Sequence, residues 1–346
     1  MNDLVTVGHA RLTERRRGSR RALSGRRCAT ASRHRLSTVR RMDRRPSRRE
    51  VLRAGALGAG GLAAGVVLPG CVSQPPSKNL AFSRDTIAYG TEPMQQAELT
   101  VPLLGKPRPV VILLHGGYWR LGFDRSEMVG LATDLSRLGY AAWNVDYRRM
   151  GEGGGWPGTF EDVALAVDKL DEVAAGKNLD LNRVVAIGHS AGSQLAMWVA
   201  ARPKALVGQL GAQPKVAPKA VVSLSGVLDL AAVANSDAVG RLGELKSSVL
   251  EVLGGAPAQV PDRYAQMSPV ALLPLAVPRL LVHGIRDDRV PIEQSRAFVT
   301  AAAKVNEPTQ LVELPDVDHF DVVKPDKAWW DSVVSWLATT NGDPLA

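Results

Sequence analysis

Short apolar runs alternate with helix-like segments from about residue 80 to the C-terminus. Runs of mostly apolar or β-branched residues bounded by turn residues are typical of buried strands. They predict eight strands, at residues 86–89, 97–101, 110–114, 141–147, 184–188, 220–223, 279–282 and 309–313. Five helix-like stretches accompany them, at about residues 127–138, 160–174, 191–201, 293–305 and 326–338.

The order of these elements predicts the fold class. From residue 110 onward strands and helices alternate, which is typical of an α/β protein with a mostly parallel central sheet and helices on both faces. The first two strands have no helix between them, so we expect an antiparallel edge. The segment from Asp229 to Met267 breaks the alternation and is expected to form a small lid above the sheet. Ligands bind such sheets at the carboxyl ends of the strands.

The positive charge is concentrated at the N-terminus. The 346 residues carry a formal net charge of +9, but residues 1–50 contain 16 arginines and four acidic residues, which leaves 27 basic and 30 acidic residues for the remainder. The folded part is therefore mildly acidic, and no nucleic-acid partner is predicted. Residues 1–41 lack apolar periodicity and are predicted to be a disordered arginine-rich extension, or the product of a misassigned start codon.

Residues 42–71 have the three parts of an export signal. A basic stretch with Arg48 and Arg49 precedes an uncharged run at residues 54–67, which is too short to span a bilayer comfortably and matches the centre of a signal peptide. The arginine pair resembles the twin-arginine export motif. The stretch from Leu68 to Cys71 resembles a lipoprotein cleavage box, in which the Cys71 thiol would be acylated.

These resemblances predict an exported, membrane-anchored lipoprotein that faces the periplasm or the cell exterior and touches the membrane only through its N-terminal lipid. Pro69 departs from the lipoprotein pattern, so a plain export signal cut near Ala63, or an uncleaved helical anchor, stays open. Residues 72–79 are polar and contain prolines, as a linker would. The folded domain is predicted over residues 80–346.

The stretch Gly188-His189-Ser190-Ala191-Gly192 lies between a predicted strand and a predicted helix. It has the G-x-S-x-G pattern of a nucleophile elbow, a sharp turn that exposes the serine hydroxyl. The two glycines let neighbouring backbone pass without a clash against a Cβ atom. Because the flanking elements are the ones an elbow requires, Ser190 is the candidate nucleophile.

A serine hydroxyl needs a base to take its proton, and that base needs a carboxylate to orient it. In elbow enzymes the three residues follow in the order Ser, Asp, His. His319 lies in a polar loop after the last predicted strand and is the candidate base. His283 ends a strand and is expected to shape its turn. Either Asp287 or Asp288, just beyond it, would supply the carboxylate.

The stretch His115-Gly116-Gly117-Tyr118-Trp119 follows an apolar strand. Attack on a carbonyl creates an oxyanion that needs fixed N–H donors, one of which comes from the residue after the nucleophile, Ala191. Two glycines allow this loop to turn its amides inward, so Gly117 and Tyr118 are the other candidate donors. His115 is expected to brace the loop. Tyr118 and Trp119 are candidate substrate-binding residues, with a core position as the alternative for each.

Residues 80–338 resemble the α/β-hydrolase fold, in the esterase and lipase branch that includes feruloyl-esterase-like proteins and kynurenine formamidases. HGGYW at 115–119 is similar to the HGGxW motif of the formamidases. GHSAG at 188–192, the HGxxD pattern at 283–287 and DHFDVV at 318–323 match the same branch.

The resemblance implies that residues 80–346 are a catalytic domain with Ser190 as nucleophile, Asp287 as orienting carboxylate and His319 as base. It implies no metal and no organic cofactor. The cysteines, Cys28 and Cys71, lie outside this domain, so no disulfide or zinc site is predicted within it.

The expected function is hydrolysis of small carboxylic esters, aryl esters among them, through a Ser-His-Asp triad and an acyl-enzyme. The alternative is an arylformamidase that hydrolyses N-formylkynurenine, and a less favoured one is an inactive hydrolase fold used for binding. The predicted partner is a small-molecule ester or formamide. Export favours the ester, because tryptophan breakdown by formamidases is expected inside the cell.

Overall fold

The computed structural model describes residues 79–345. The predicted extension at 1–41, the export signal at 42–71 with Cys71, and the linker up to residue 78 lie outside the described residues. No helix within the described range is long and apolar enough to cross a bilayer.

One sheet of eight strands forms the centre of this part, in the order β1-β2-β4-β3-β5-β6-β7-β8. All eight predicted strands are present, with shifted ends. The strands are β1 (Phe82–Ala88), β2 (Gln96–Pro102), β3 (Arg108–Leu114), β4 (Ala141–Val145), β5 (Leu179–His189), β6 (Ala220–Leu224), β7 (Arg279–Gly284) and β8 (Gln310–Leu314).

The sheet is antiparallel only at the β1–β2–β4 edge. β1 pairs antiparallel with β2, and β2 pairs antiparallel with β4. The neighbours from β4 through β3, β5, β6 and β7 to β8 are all parallel. The predicted mostly parallel sheet with an antiparallel edge is therefore confirmed.

Eight α-helices surround the sheet within residues 79–345. They are α1 (Val129–Leu138), α2 (Gly158–Lys177), α3 (Ala191–Ala201), α4 (Leu230–Ala234), α5 (Gly240–Leu253), α6 (Pro261–Met267), α7 (Glu293–Lys304) and α8 (Ala328–Asn341). Alternate residues of β3 join two different cores, as the period of a strand requires. Val111 and Leu113 pack with residues of α1 and α8, whereas Val110 and Ile112 pack with residues of α2, α3 and α7. Helices on both faces are thus confirmed.

The segment from Asp229 to Met267 leaves the strand-helix alternation as predicted. It contains α4, α5 and α6, between β6 and β7. Its single aromatic residue, Tyr264, is buried and donates its hydroxyl hydrogen to the carbonyl of Gly255 at 3.0 Å. The segment therefore offers no exposed aromatic surface to a ligand.

A buried carboxylate holds the loop after β4 in place. Asp162 of α2 has no exposed surface and accepts hydrogen bonds from Gln95 Nε2 at 2.7 Å, Arg148 N at 2.8 Å and Arg148 Nη2 at 2.7 Å. It therefore joins α2 to the β1–β2 turn and to the loop that contains Asp146 and Tyr147.

Replacing Asp162 by alanine should destabilise the fold, because it leaves the Arg148 guanidinium without its buried partner. Breaking such a pair costs roughly 3 kcal/mol when one partner is partly exposed. Urea unfolding of the wild type and Asp162→Ala measures the difference. Glu172→Gln, which breaks the exposed Lys169–Glu172 pair, is the control and should change little. Equal effects of the two substitutions would contradict this role of Asp162.

Candidate active site

The predicted site residues converge on one edge of the sheet. The loops after β3, β5, β7 and β8 hold residues 115–119, Ser190, Asp287 and His319 respectively. Because these strands are parallel members of one sheet, their carboxyl ends lie at the same edge. Residues far apart in the chain are brought together there.

Ser190 forms the turn between β5 and α3. Its backbone has φ 52° and ψ −116°, a conformation that non-glycine residues rarely adopt. A methyl group on Gly192 would overlap the carbonyl oxygen of Leu114, and one on Gly188 would overlap that of Gly192. The amide of Ser190 donates to the carbonyl of Leu224 at 2.9 Å. The geometry is that of the predicted elbow.

Asp287 and His319 are in direct contact. His319 Nδ1 lies 2.7 Å from Asp287 Oδ2, and the other carboxylate oxygen accepts hydrogen bonds from the amides of Arg289 at 2.9 Å and Val290 at 2.8 Å. Burial alone would raise the pKa of Asp287, but hydrogen bonds from His283 and His319 lower it well below its usual range. The carboxylate is therefore ionised at neutral pH and accepts the proton of Nδ1.

His319 is poised to accept a proton at its other ring nitrogen. Burial lowers the pKa of His319, and the hydrogen bond to Asp287 opposes that shift only in part. The neutral ring, protonated on Nδ1, leaves Nε2 free to accept. Among residues 79–345 the Ser190 hydroxyl makes no hydrogen bond to this ring, and such catalytic bonds often tighten only in the complex with substrate.

The neighbour Asp288 has a different partner, whereas His283 supports the pair, with Nε2 3.4 Å from Asp287 Oδ2. Asp288 is exposed and pairs with Arg241. His283 is buried, with Nδ1 at 2.7 Å from Ser295 Oγ and Nε2 at 2.9 Å from the carbonyl of Val290. Of the two candidate aspartates, only Asp287 contacts His319. His283 holds the turn that contains Asp287.

The loop after β3 turns sharply beside the serine. Gly117, Tyr118 and Trp119 have φ values of 99°, 56° and 55°. Across the described residues, no hydrogen bond uses the amide of Gly117, Tyr118 or Ala191, so these three predicted donors are unoccupied. The amide of Gly116, in contrast, already donates to Glu127 Oε2 at 2.6 Å.

His115 supports this loop through contacts with Gly116 and Tyr147. Its Nδ1 lies 2.8 Å from the carbonyl of Gly116, and its ring stacks on Tyr147 with 4.3 Å between the ring centroids. The Tyr147 hydroxyl donates to the carbonyl of His115 at 2.8 Å. Asp146 Oδ1 lies 3.4 Å from His115 Nε2. With a fully buried ring, Nδ1 against the Gly116 carbonyl and Nε2 toward Asp146, His115 is placed to support the loop and not to act as the base.

The two candidate substrate-binding aromatics differ in exposure. Trp119 is fully buried and packs in the core shared by α2 and α3. This position is the core alternative stated for Trp119, so Trp119 is not among the substrate contacts proposed below. Tyr118 is only half-buried, and its hydroxyl faces the Arg289 guanidinium. Tyr118 remains the candidate.

Sequence patterns do not identify three further residues that form ion pairs at this edge. Glu127 pairs with His189, and Asp146 pairs with His115. Asp146 directly follows β4, a position that could have marked it. His189 occupies the variable position of the elbow motif. Glu127 precedes α1 and has no sequence signal of its own.

Residues 79–345 contain no group of three or more His, Cys, Asp or Glu side chains placed to hold a metal ion.

Comparisons with known proteins agree with this architecture. The BD-FAE family model matches residues 101–301. Esterase LipQ of Mycobacterium tuberculosis is 28% identical over 224 residues, which cover 63% of this chain and 52% of LipQ. Kynurenine formamidase avaC of Aspergillus versicolor is 27% identical over 251 residues, which cover 63% of this chain and 84% of avaC.

Solved structures share the fold. Esterase B from Lactobacillus rhamnosis superimposes with a TM-score of 0.65 at 21% identity, covering 79% of this chain and 89% of that one. The chain spans about half the length of LipQ and of the probable carboxylic ester hydrolase LipM of M. tuberculosis.

Asp287→Asn should lower the pKa of His319, because this carboxylate raises it more than any other group does. Loss of an adjacent opposite charge shifts a pKa by about one to three units. The matched control Asp288→Asn should leave that pKa unchanged, since Asp288 faces Arg241. Titration of the His319 ring by NMR measures both. A larger shift of the His319 pKa in Asp288→Asn than in Asp287→Asn would assign the orienting role to Asp288.

Proposed function

We propose that this chain, which belongs to the BD-FAE family and has the α/β-hydrolase fold, hydrolyses small carboxylic esters by serine catalysis. The observation that carries the proposal is the buried Asp287–His319 pair, in which 2.7 Å separate Asp287 Oδ2 from His319 Nδ1. The pair lies at the sheet edge where Ser190 occupies the elbow. In the proposed mechanism Ser190 is the nucleophile, His319 the base and Asp287 the orienting carboxylate.

The first half of the reaction forms an acyl-enzyme. His319 Nε2 takes the proton of the Ser190 hydroxyl while the serine oxygen attacks the carbonyl carbon of the ester. The ionised Asp287 stabilises the imidazolium that forms and keeps Nδ1 protonated. The imidazolium then gives its proton to the leaving alcohol as the carbon–oxygen bond breaks.

The negative charge of the tetrahedral intermediate requires hydrogen-bond donors. The unoccupied amides of Gly117, Tyr118 and Ala191 are the proposed oxyanion hole. Ala191 is the first residue of α3, where amides have no intrahelical acceptor and the helix dipole favours negative charge. Gly116 is not included, because Glu127 occupies its amide.

The second half of the reaction releases the acid. Water attacks the acyl carbon while His319 takes a proton from it, and the same amides bind the second oxyanion. Collapse of this intermediate returns the proton from His319 to the Ser190 oxygen. The cycle therefore uses the same groups twice and consumes one water.

The surroundings of the site favour small acyl groups. The segment from Asp229 to Met267 adds three helices of 5, 14 and 7 residues and no exposed aromatic residue, so it does not form the broad apolar wall that a long acyl chain requires. Phe320 is 38% exposed and its ring lies 5.1 Å from that of His319. Together with the half-buried Tyr118, it could stack on an aryl group.

Hydrolysis of an aryl formamide is the second candidate. The similarity to avaC over 84% of that protein and the HGGYW loop favour it. Formamides and esters react through the same type of tetrahedral intermediate, so the same residues would serve both. The difference lies in the leaving group, because an amine must be protonated before it departs.

The N-terminal sequence favours the ester. Residues 42–71 are the basis of the proposal that the protein is exported and lipid-anchored at Cys71. An enzyme outside the cytoplasm meets environmental esters more readily than a cytoplasmic catabolite. Absence of fatty-acid labelling at Cys71 would contradict the anchor without affecting the catalytic proposal.

Ser190→Ala should abolish ester hydrolysis by removing the nucleophile while leaving the fold intact. In other serine hydrolases such a loss approaches about a millionfold in the chemical step. Release of 4-nitrophenol from 4-nitrophenyl acetate measures the rate, and circular dichroism checks the fold. Retention of more than a few per cent of the activity in a purified variant would exclude Ser190 as nucleophile.

The rate should depend on pH through His319. A base must be neutral, so kcat/KM rises with pH through the pKa of His319 in the free enzyme. Burial lowers that pKa, which places the midpoint of this rising limb below the ordinary histidine value of 6.5. A pH profile of 4-nitrophenyl acetate hydrolysis tests this. A midpoint well above 6.5 would contradict the assignment.

Short-chain aryl esters should be better substrates than either long-chain esters or N-formylkynurenine. We expect higher kcat/KM for 4-nitrophenyl acetate and butyrate, with poor hydrolysis beyond roughly eight acyl carbons, because the site lacks a large apolar wall. Side-by-side assays on one preparation give the order. A preference for N-formylkynurenine would favour the formamidase candidate instead.

A further inference from the structure

His189, which directly precedes Ser190, lies within the site but takes no part in the steps above. Its ring is fully buried, with 4.7 Å between its centroid and that of His319. Nε2 lies 2.9 Å from the carbonyl oxygen of His319, and Nδ1 lies 3.1 Å from Glu127 Oε1. The ring therefore bridges the loop after β8 and the segment before α1.

Both partners of the ring can only accept hydrogen bonds. A backbone carbonyl has no proton to donate, and a carboxylate has none when ionised. With both ring nitrogens protonated, His189 donates from Nε2 to the carbonyl and is a cation whose Nδ1 lies 3.1 Å from the Glu127 anion. Burial alone would lower the pKa of His189, but Glu127 and the carbonyl of His319 raise it above its usual value.

The same contact lowers the pKa of Glu127. Burial alone would raise it, but the charge and hydrogen bond of His189 and the amide of Gly116 lower it to about 2. The other charged or titratable groups around the pair are His319 and Asp287, and His115 faces Glu127 from the loop after β3. Glu127 is thus an anion at any pH where the enzyme would work.

Glu127 also holds the loop of the proposed oxyanion hole. Its Oε2 accepts the amide hydrogen of Gly116 at 2.6 Å, next to the donor Gly117. Gly116 lies so close to the elbow that a Cβ atom on it would be 2.9 Å from His189 Nδ1 and 3.1 Å from Ser190 Cβ. One carboxylate therefore contacts both the donor loop and the residue before the nucleophile.

We propose that Glu127 and His189 are positioning residues for the hydrolytic reaction, acting as one charged unit that fixes the oxyanion-hole loop relative to the base. Glu127 holds Gly116, and His189 holds the backbone of His319. The placement of donors and base relative to Ser190 then depends on the pair. This inference rests on the proposed function, although the charge state of the pair can be tested without it.

A second buried ion pair provides a matched control. Glu307 pairs with Arg279 at 2.9 Å and accepts the amide of Leu275 at 2.6 Å, so it too joins a buried cation to a loop amide. It lies near the amino-terminal ends of β7 and β8, at the edge of the sheet opposite Ser190. Glu127→Gln and Glu307→Gln remove the same charge from similar surroundings.

The kinetic test compares the two substitutions in the full chain, with 4-nitrophenyl acetate. Glu127→Gln should lower the acylation rate constant about 10- to 100-fold, the size expected from misplacing reacting groups by about 1 Å, with less change in KM. Glu307→Gln should destabilise the fold and leave the rate constant unchanged. Equal rate losses in the two variants, or no loss in Glu127→Gln, would overturn the proposal.

The pH profile separates positioning from simple packing. In the wild type, kcat should fall at alkaline pH as His189 loses its second proton and with it the ion pair to Glu127 or the hydrogen bond to the His319 carbonyl. His189→Gln should be slower and should lose this descending limb while it keeps the rising limb of His319. A descending limb that persists in His189→Gln, or that is missing in the wild type, would overturn the proposal.

A spectroscopic test does not depend on catalysis. Nitrogen-15 NMR of the Ser190→Ala protein should show both ring nitrogens of His189 protonated at neutral pH. A neutral tautomer would overturn the inference whether or not esters are hydrolysed. If the wild type hydrolyses no ester but His189 is a cation, the proposed function fails and the charged pair stands.

Discussion

The site depends on the backbone turn at Ser190. A serine with φ 52° and ψ −116° stores strain of about 1–3 kcal/mol, and such strain persists only where the surroundings fix it. Here the first turn of α3 lies so close to the end of β3 that Gly192 contacts the carbonyl of Leu114, with no room for a Cβ atom. The same closeness brings the loop after β3 beside the serine. One steric constraint therefore places both the proposed nucleophile and the proposed oxyanion donors.

Electrostatic pairing complements this constraint. Burying a carboxylate is costly unless a cation or hydrogen-bond donors compensate it. Two carboxylates at this edge each face a histidine, the fully buried side chain of Asp287 with His319 and the largely buried one of Glu127 with His189. The carbonyl of His319 accepts from His189, so the two pairs are linked. One pair is suited to moving a proton, and the other to holding its neighbours in place.

Much of the fold could be predicted because most strands contain a short run of apolar or β-branched residues. The first half of β5 was an exception, since Asp180 and Asn182 interrupt the apolar pattern that begins at Val184. The elbow, Asp287 and His319 lie in motifs. Glu127 could not be predicted, because its partners come from distant parts of the chain. The choice between a core and a substrate-binding position for Trp119 could not be made from the sequence, because no pattern shows whether a residue after a strand end turns back into the core.

The most direct measurement of the central claim is covalent capture of the nucleophile. The protein is incubated with an alkyl fluorophosphonate, and the modified peptide is identified by mass spectrometry. Because the base and the oxyanion donors activate only one hydroxyl, we predict a single adduct, on Ser190, formed in step with the loss of ester hydrolysis. An adduct on another residue, or full inactivation with Ser190 unmodified, would contradict the account.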